Sequence, residues 1–233
     1  QKADIIFLML PDTPDVELVL FGANGVAQGL SKGKTVVDMS SISPIATKDF
    51  AQRIAALGCE YLDAPVSGGQ AGAENGVLTV MCGADSEGVF GSVAPFIAAY
   101  SRSCVRLGGV GSGQLAKMVN QICIAGLVQA LSEGVAFAQN AGLDAHAVID
   151  VISKGAAQSW QMENRAHTMI DGKFDFGFAV EWMVKDLTYA IAEARSNGSR
   201  VPVTEQVLGY YRELTEAGRA RYDTSSLVTR LPR

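Results

Sequence analysis

Gly108-Gly109-Val110-Gly111-Ser112-Gly113 divides this 233-residue sequence into two parts that follow different rules. Upstream, short apolar runs alternate with helical patterns; downstream, no convincing strand follows and helix signals continue to the end. The upstream candidate strands are Asp4–Leu10, Thr35–Met39, Glu60–Ala64, Leu78–Cys82 and Cys104–Leu107. Between them the spacing predicts helices at about Asp15–Phe21, Pro44–Ala56 and Ser86–Ala98, with Gly33, Gly58 and Gly83 punctuating the turns. Such a βαβ rhythm predicts a mostly parallel sheet covered by helices. The expected fold class is therefore α/β, with a sheet domain over residues 1–108 and an all-helical domain over 109–233.

The first downstream helix, Gln114 to about Asn140, is roughly 27 residues and so about 40 Å long, with Gly142 as its stop. Its middle (Ile122, Cys123, Ile124, Ala125, Leu127, Val128) is apolar nearly all round, which predicts burial on most faces. Gly126 and Gly134 each cost about 1 kcal/mol relative to Ala in a helix interior, and close approach of another helix is the expected compensation. Further helices are expected at Ala145–Ser153, Ser159–Asp171, Val180–Ser196 and Thr204–Ala217. The stripe Val180, Val184, Leu187, Ile191, Ala194 has helical spacing. Asp223–Arg233 reads as a short helix with a frayed end.

Composition narrows the function classes. With 48% hydrophobic and 18% charged residues, a chain of this length can bury a full core. A net charge of −5 without any Lys/Arg cluster argues against a nucleic-acid partner. No apolar run reaches the ~18 residues of a membrane span, so no membrane association is expected. Cys59, Cys82, Cys104 and Cys123 show neither CxxC nor ligand-like spacing, which points to a reduced, cytoplasmic setting. Two histidines without HxH or HxxxH give no support for a metal site. Gln1-Lys2-Ala3 is neither a native start nor a signal segment. It leads at once into Asp4–Leu10, a run with the pattern of a strand buried on both faces. Earlier strands are therefore expected beside it, in an N-terminal part that this chain lacks.

Four segments can carry chemistry. Asp63-Ala64-Pro65-Val66-Ser67-Gly68-Gly69-Gln70-Ala71-Gly72-Ala73-Glu74-Asn75-Gly76 follows an apolar strand, where α/β sheets bind ligands. Ser67, Gly68 and Gly69 offer a hydroxyl and unhindered N–H groups that suit a carboxylate or phosphate. Read alone, they are as readily an ordinary glycine turn. In Lys117-Met118-Val119-Asn120-Gln121, Lys117 and Asn120 share one helix face. A lysine is oddly placed so near a helix N-terminus. It reads either as a snorkelling surface group or as a partly desolvated ammonium aimed at a substrate oxygen. Lys185 lies off the apolar stripe of its helix and so can face a cleft, although a helical Lys-Asp pair such as Lys185-Asp186 is ordinarily a solvated face. Leu10-Pro11 and Asp38-Met39-Ser40-Ser41-Ile42-Ser43-Pro44 end neighbouring strands, and the serines can equally cap the next helix.

In this order the four segments resemble the β-hydroxyacid dehydrogenase family, whose members act on 3-hydroxyisobutyrate or tartronate semialdehyde. The resemblance covers essentially the whole chain. It implies a truncated Rossmann domain, an all-helical domain and a catalytic cleft between them. It implies NAD or NADP as cofactor, a small hydroxy acid or its semialdehyde as substrate, and a homodimer or homotetramer built through the long helix. By the same resemblance Lys117 is the catalytic lysine, and Ser67, Gly68, Gly69 and Asn120 bind substrate. Leu10, Pro11, Asp15, Ser41, Phe178 and Lys185 match cofactor positions. The GxGxxG turn is absent, and with it the residue that chooses NAD against NADP. Without that turn, the 233-residue chain by itself is expected to bind dinucleotide weakly and to be weakly active or inactive. Gln121 stands where many members carry a second Asn, although semialdehyde reductases often have Gln there. Asn120-Gln121 and the chain's length argue against 6-phosphogluconate dehydrogenases, and Lys117 argues against imine reductases. The expected activity is oxidation of 3-hydroxyisobutyrate, with tartronate semialdehyde reduction as the alternative. A non-catalytic oligomerisation scaffold of the same fold is the reading from another class.

Overall fold

The apolar runs of the first half do form strands in the computed structural model, which describes residues 2–232. They are β1 (Ile5–Leu8), β2 (Thr35–Asp38), β3 (Glu60–Asp63), β4 (Val66–Ser67), β5 (Leu78–Gly83) and β6 (Ser101–Gly108). β1, β2 and β3 pair in parallel, as do β5 and β6. Helices α1 (Thr13–Phe21), α2 (Pro44–Ala55), α3 (Gly69–Glu74) and α4 (Glu87–Ile97) connect them. Their starts are legible in the side chains: Asp12 accepts from Thr13 N, Ser43 from Ala46 N and Ser86 from Val89 N.

One part of the sheet departs from expectation. Segment 64–76 is more than a connection, since it contains β4 and α3, and it turns the chain around before β5. Ala64-Pro65 bends one extended segment, so that β3 and β4 lie end to end along β5, both antiparallel to it. Pro65 has no N–H to give a ladder, but its carbonyl accepts from Met81 N at 3.0 Å. The result is a mixed, Rossmann-like sheet.

Alternation along the strands places successive residues on opposite faces. Val36 and Tyr61 join the cluster with Val16, Leu20, Phe50 and Ile54 of α1 and α2. Their neighbours Val37 and Leu62 join the cluster with Val93 and Ile97 of α4. Each fully buried side chain of this size contributes about 1.5–3 kcal/mol. β1 is the exception to the expected two-sided burial, with Phe7 39% exposed in a strand that, among the described residues, pairs with β2 alone.

The second half is helical: α5 (Ser112–Asn140), α6 (Ala145–Ile152), α7 (Trp160–Ile170), α8 (Val180–Asn197) and α9 (Pro202–Glu216), then a 3-10 helix at Thr224–Arg230. Gly142 ends α5 at φ +71°, a left-handed conformation that favours glycine. Ala125 and Val128 of α5 pack with α8 and α9 around the fully buried Tyr211. Farther along, Leu131 and Val135 pack with Ile149, Met162, Met169 and Phe174. α5 is long and apolar enough to cross a membrane by length and composition, yet half of its most apolar window is buried against its own chain.

Two expectations for α5 are corrected. It is covered on one side, not most, because the apolar residues Val119, Leu127 and Phe137 stay 62%, 44% and 74% exposed. Among the described residues no helix closes over Gly126 or Gly134, since a Cβ at either would have nothing within 4 Å. By its packing the chain forms two compact units, one ending at Val119 and the other starting at Asn120.

Candidate functional site

The first unit ties down the start of α5. Asp63, the last residue of β3, is wholly buried, and its two oxygens accept from Gly111 N at 2.7 Å and Gln114 N at 2.8 Å. These are N–H groups that a helix N-terminus cannot satisfy internally. Burial pushes the Asp63 carboxyl up to about 6, against the pull of those two N–H groups and with a smaller push from Asp38. Two glycines make the room. A Cβ on Gly113 would lie 2.3 Å from Met81 O, and one on Gly83 would lie 2.3 Å from Asp63 Oδ1. Gln114 adds a second anchor, donating to Ser40 O at 2.8 Å and accepting from Ile42 N at 3.1 Å.

Lys117 stands one turn farther on and is only 8% exposed. That burial argues against a snorkelling surface group. Ser67 closes β4, and Gly68 and Gly69 follow at φ +131° and +60°, both conformations that an L side chain resists. They lie exposed at the start of α3, with their small size unopposed at Gly69 and pressed by Leu78 at Gly68.

The carboxyl ends of β1 and β2 are held side by side. Leu10 N donates to Ser40 Oγ at 2.9 Å, Ser40 N donates to Asp38 Oδ1 at 2.9 Å, and Tyr61 Oη donates to Asp38 Oδ2 at 2.8 Å. Burial, then Asp38, hold the Tyr61 hydroxyl well above its usual range, so it remains a donor. Leu10, Pro11 and Ser41 therefore share one strand-end crevice, the place where open α/β sheets take a dinucleotide. An apolar side chain, a proline ring and a hydroxyl stand there on a backbone braced by buried hydrogen bonds. Asp15 is exposed in the first turn of α1, where it suits the helix dipole.

In the second unit Asn120 Nδ2 donates to Gln121 Oε1 at 2.8 Å, and Gln121 Nε2 donates to Asp186 Oδ2 at 2.7 Å. Lys185 Nζ lies 3.3 Å from Asp186 Oδ1, with 13% and 5% of the two side chains exposed. The solvated face expected of a Lys-Asp pair is thus corrected: α8 turns this pair inward. Phe178 is half-buried, and its backbone N–H donates to Asp223 Oδ2 at 2.9 Å. Asp223 also accepts from Ser225 N and lies 3.3 Å from Arg165 Nε. Among the described residues no group of three or more His, Cys, Asp or Glu is arranged to hold a metal ion.

Reading by motif missed the supporting residues Asp38, Asp63, Gln114, Asp186 and Asp223. A signal existed for two of them. Thr35-Val36-Val37-Asp38 and Glu60-Tyr61-Leu62-Asp63 end apolar strands on aspartates, which pair in register. A carboxylate at the end of a buried strand must find donors: Asp38 finds Ser40 N and Tyr61 Oη, and Asp63 finds Gly111 N and Gln114 N at the entry to α5.

Two family models match the chain. One, described as the NAD-binding domain of 6-phosphogluconate dehydrogenase, matches residues 1–109. The other, described as the NAD-binding domain of NADP-dependent 3-hydroxyisobutyrate dehydrogenase, matches residues 111–231. The chain is 53% identical over 231 residues to an uncharacterized oxidoreductase of Shewanella frigidimarina, covering 99% of this chain and 79% of that one. It is 42% identical to the 2-hydroxy-3-oxopropionate reductase of Escherichia coli, with the same 99% and 79% coverage. Among solved structures, a 3-hydroxyisobutyrate dehydrogenase from Salmonella typhimurium matches at TM-score 0.88 and 30% identity, covering 98% of this chain and 79% of that one.

Proposed function

Because the chain belongs to the NAD(P)-dependent β-hydroxyacid dehydrogenase family, we propose that it interconverts a short β-hydroxy acid and its semialdehyde, with Lys117 moving the proton. The observation that carries this reading is the burial of Lys117 to 8% exposure on a helix whose first turn is bolted at Asp63 and Gln114. An ammonium is expensive to bury, and burying it beside a braced helix start places a strong donor where water is scarce. In the reducing direction the Lys117 ammonium donates a proton to the aldehyde oxygen; in the oxidising direction Lys117 receives it from the hydroxyl. When bound, NAD(P) supplies or takes the hydride at the same carbon. Ser67, Gly68 and Gly69 take the substrate carboxylate, Asn120 orients the substrate, and Leu10, Pro11, Ser41, Phe178 and Lys185 hold the cofactor. Asp15, exposed on α1, supports the crevice from its rim.

Among substrates, we place 2-hydroxy-3-oxopropionate (tartronate semialdehyde) ahead of the 3-hydroxyisobutyrate that motif reading favours, on the 42% identity to the E. coli reductase. 3-Hydroxyisobutyrate stays second, on the solved structure of similar fold. The four cysteines are all free, which supports a reduced, cytoplasmic setting. The exposed apolar side of α5 supports a homodimer through that helix.

Lys117→Ala is the test. Activity with either substrate should fall by about 10²–10⁴-fold in kcat, with cofactor affinity and circular dichroism retained. Unchanged turnover would sink the assignment. Absence of turnover on any short hydroxy acid, in a wild type shown to bind NAD(P), would favour the non-catalytic scaffold.

A further inference from the structure

The buried carboxamide of Gln121 joins two groups that the proposed function uses. Gln121 is 2% exposed and Asp186 5%. Gln121 connects Asn120, on one side, to the carboxylate that Lys185 approaches on the other. The oxygen and nitrogen of an amide are alike in shape, so their placement must be deduced from their partners. Here the partners decide it. An ionised carboxylate can only accept, so the group of Gln121 that faces Asp186 must be its nitrogen. Its oxygen then faces Asn120, and Asn120 must answer with its own nitrogen. The end of the Asn120 amide away from Gln121 is therefore the carbonyl oxygen, Oδ1. One carboxylate thus sets the direction of two amides in series, and it does so from two residues away.

We propose that Gln121, held by Asp186, fixes Asn120 as a hydrogen-bond acceptor for a hydroxyl on the substrate's second carbon, and so selects 2-hydroxy-3-oxo acids over their 2-methyl counterparts. The inference rests on Asn120 being the substrate residue of the proposed function. A hydroxyl can donate to Oδ1. A methyl group cannot, and it leaves a desolvated carbonyl without a partner. Gln121 is a positioning residue in this account. An Asn at the same place is one methylene shorter and would not span from Asn120 to Asp186 in the same way. The position after Asn120 is thereby a determinant of the group accepted at the second carbon.

The test uses a matched pair of aldehydes, 2-hydroxy-3-oxopropionate and 2-methyl-3-oxopropionate, with the full chain and Gln121→Leu. The wild type should favour the hydroxy aldehyde by at least about 10-fold in kcat/KM. Gln121→Leu should lower turnover of both, but that of the hydroxy aldehyde by about 10-fold more, chiefly through KM. An equal loss on both substrates, or no preference in the wild type, overturns the proposal. A second measurement does not depend on turnover. In ¹⁵N-labelled protein, Asp186→Asn should shift the Asn120 side-chain amide resonances, because the direction of the series is no longer imposed. Unmoved Asn120 resonances overturn the relay. If neither aldehyde turns over although NAD(P) is shown to bind, the proposed function fails and the selectivity with it, while the amide spectrum still tells whether the relay exists.

Discussion

Replacing Asp63 by alanine tests the claim that a buried carboxylate positions the start of α5. The substitution leaves the N–H groups of Gly111 and Gln114 buried without an acceptor, at about 1–3 kcal/mol each. It also removes a carboxyl whose ionisation is disfavoured, since burial raises it from 3.8 to about 6; a shift of that size is worth about 3 kcal/mol when the group is ionised. The two effects oppose each other at pH 8, so the net loss there is at most about 3 kcal/mol. At lower pH the opposition fades. A folded pKa above the unfolded one means that the folded state holds the proton more tightly. The wild type therefore gains stability as pH falls through about 6 toward 3.8, and that gain is lost as pH rises again. Proton linkage across this window gives about 1.4 kcal/mol between pH 8 and pH 5.

Asp63→Ala has no such proton to hold. It should cost about 1.4 kcal/mol more at pH 5 than at pH 8, because this is the wild-type gain that it forfeits. Urea unfolding followed by far-ultraviolet circular dichroism, at both pH values and with equal m-values, measures the difference directly. Amide exchange at Gly111 and Gln114 should accelerate in the mutant. A cost independent of pH would refute the idea that Asp63 carries a raised proton affinity. Unchanged exchange at both amides would refute its role as the cap.

Gly113→Ala should destabilise by at least about 3 kcal/mol, since its Cβ would lie 2.3 Å from Met81 O; Gly91→Ala, with nothing within 4 Å, is the control, expected to gain about 1 kcal/mol in α4. Gly134→Ala should stabilise the monomer by about 1 kcal/mol in dilute urea titrations, and a loss there would mean that the chain closes over that face of α5 after all. Asp223→Ala should cost about 3–5 kcal/mol, because it strips the partner from Arg165 and the acceptor from Phe178 N; a midpoint shift corresponding to under 1 kcal/mol would mean that Ser225 and water replace it.

Why some of this was legible in the sequence and some not has a physical reason. Strands and helix starts follow from local rules: β2 has the β-branched centre Val36-Val37, and Ser43-Pro44 and Ser159-Trp160 announce helices through a capping hydroxyl. The direction of β5 depends on how Ala64-Pro65 bends an extended segment and how α3 returns it, which no periodicity encodes. The one-sided burial of α5 was hidden because its apolar residues surround the axis, and apolar character alone does not tell a core face from an exposed one. For Lys185 local rules favoured a solvated face and for Lys117 they left surface and burial equally open, and tertiary packing buries both.

The supporting carboxylates brace the segments that carry these lysines, and Asp186 also lies 3.3 Å from Lys185 Nζ. Asp63, Asp186 and Asp223 are each nearly or wholly buried, and each accepts from groups far away in sequence: positions 111 and 114, position 121, and positions 165 and 178. Each therefore fixes a backbone or side chain next to a residue that the family resemblance assigns to chemistry, namely Lys117, Asn120 with Lys185, and Phe178. A motif search reads the groups that touch substrate and cofactor, because their identity is set by the reaction. The groups that hold them in place are set by three-dimensional reach, so a carboxylate at a strand end and one inside a helix do the same work without sharing any local pattern. For this chain, that places the precision of the proposed site in aspartates to which no motif assigns a role, although Asp63 and Asp186 stand inside the quoted segments. It also explains why a change at Gln121, which touches neither the reacting carbon nor the hydride, is expected to alter which substrate is accepted.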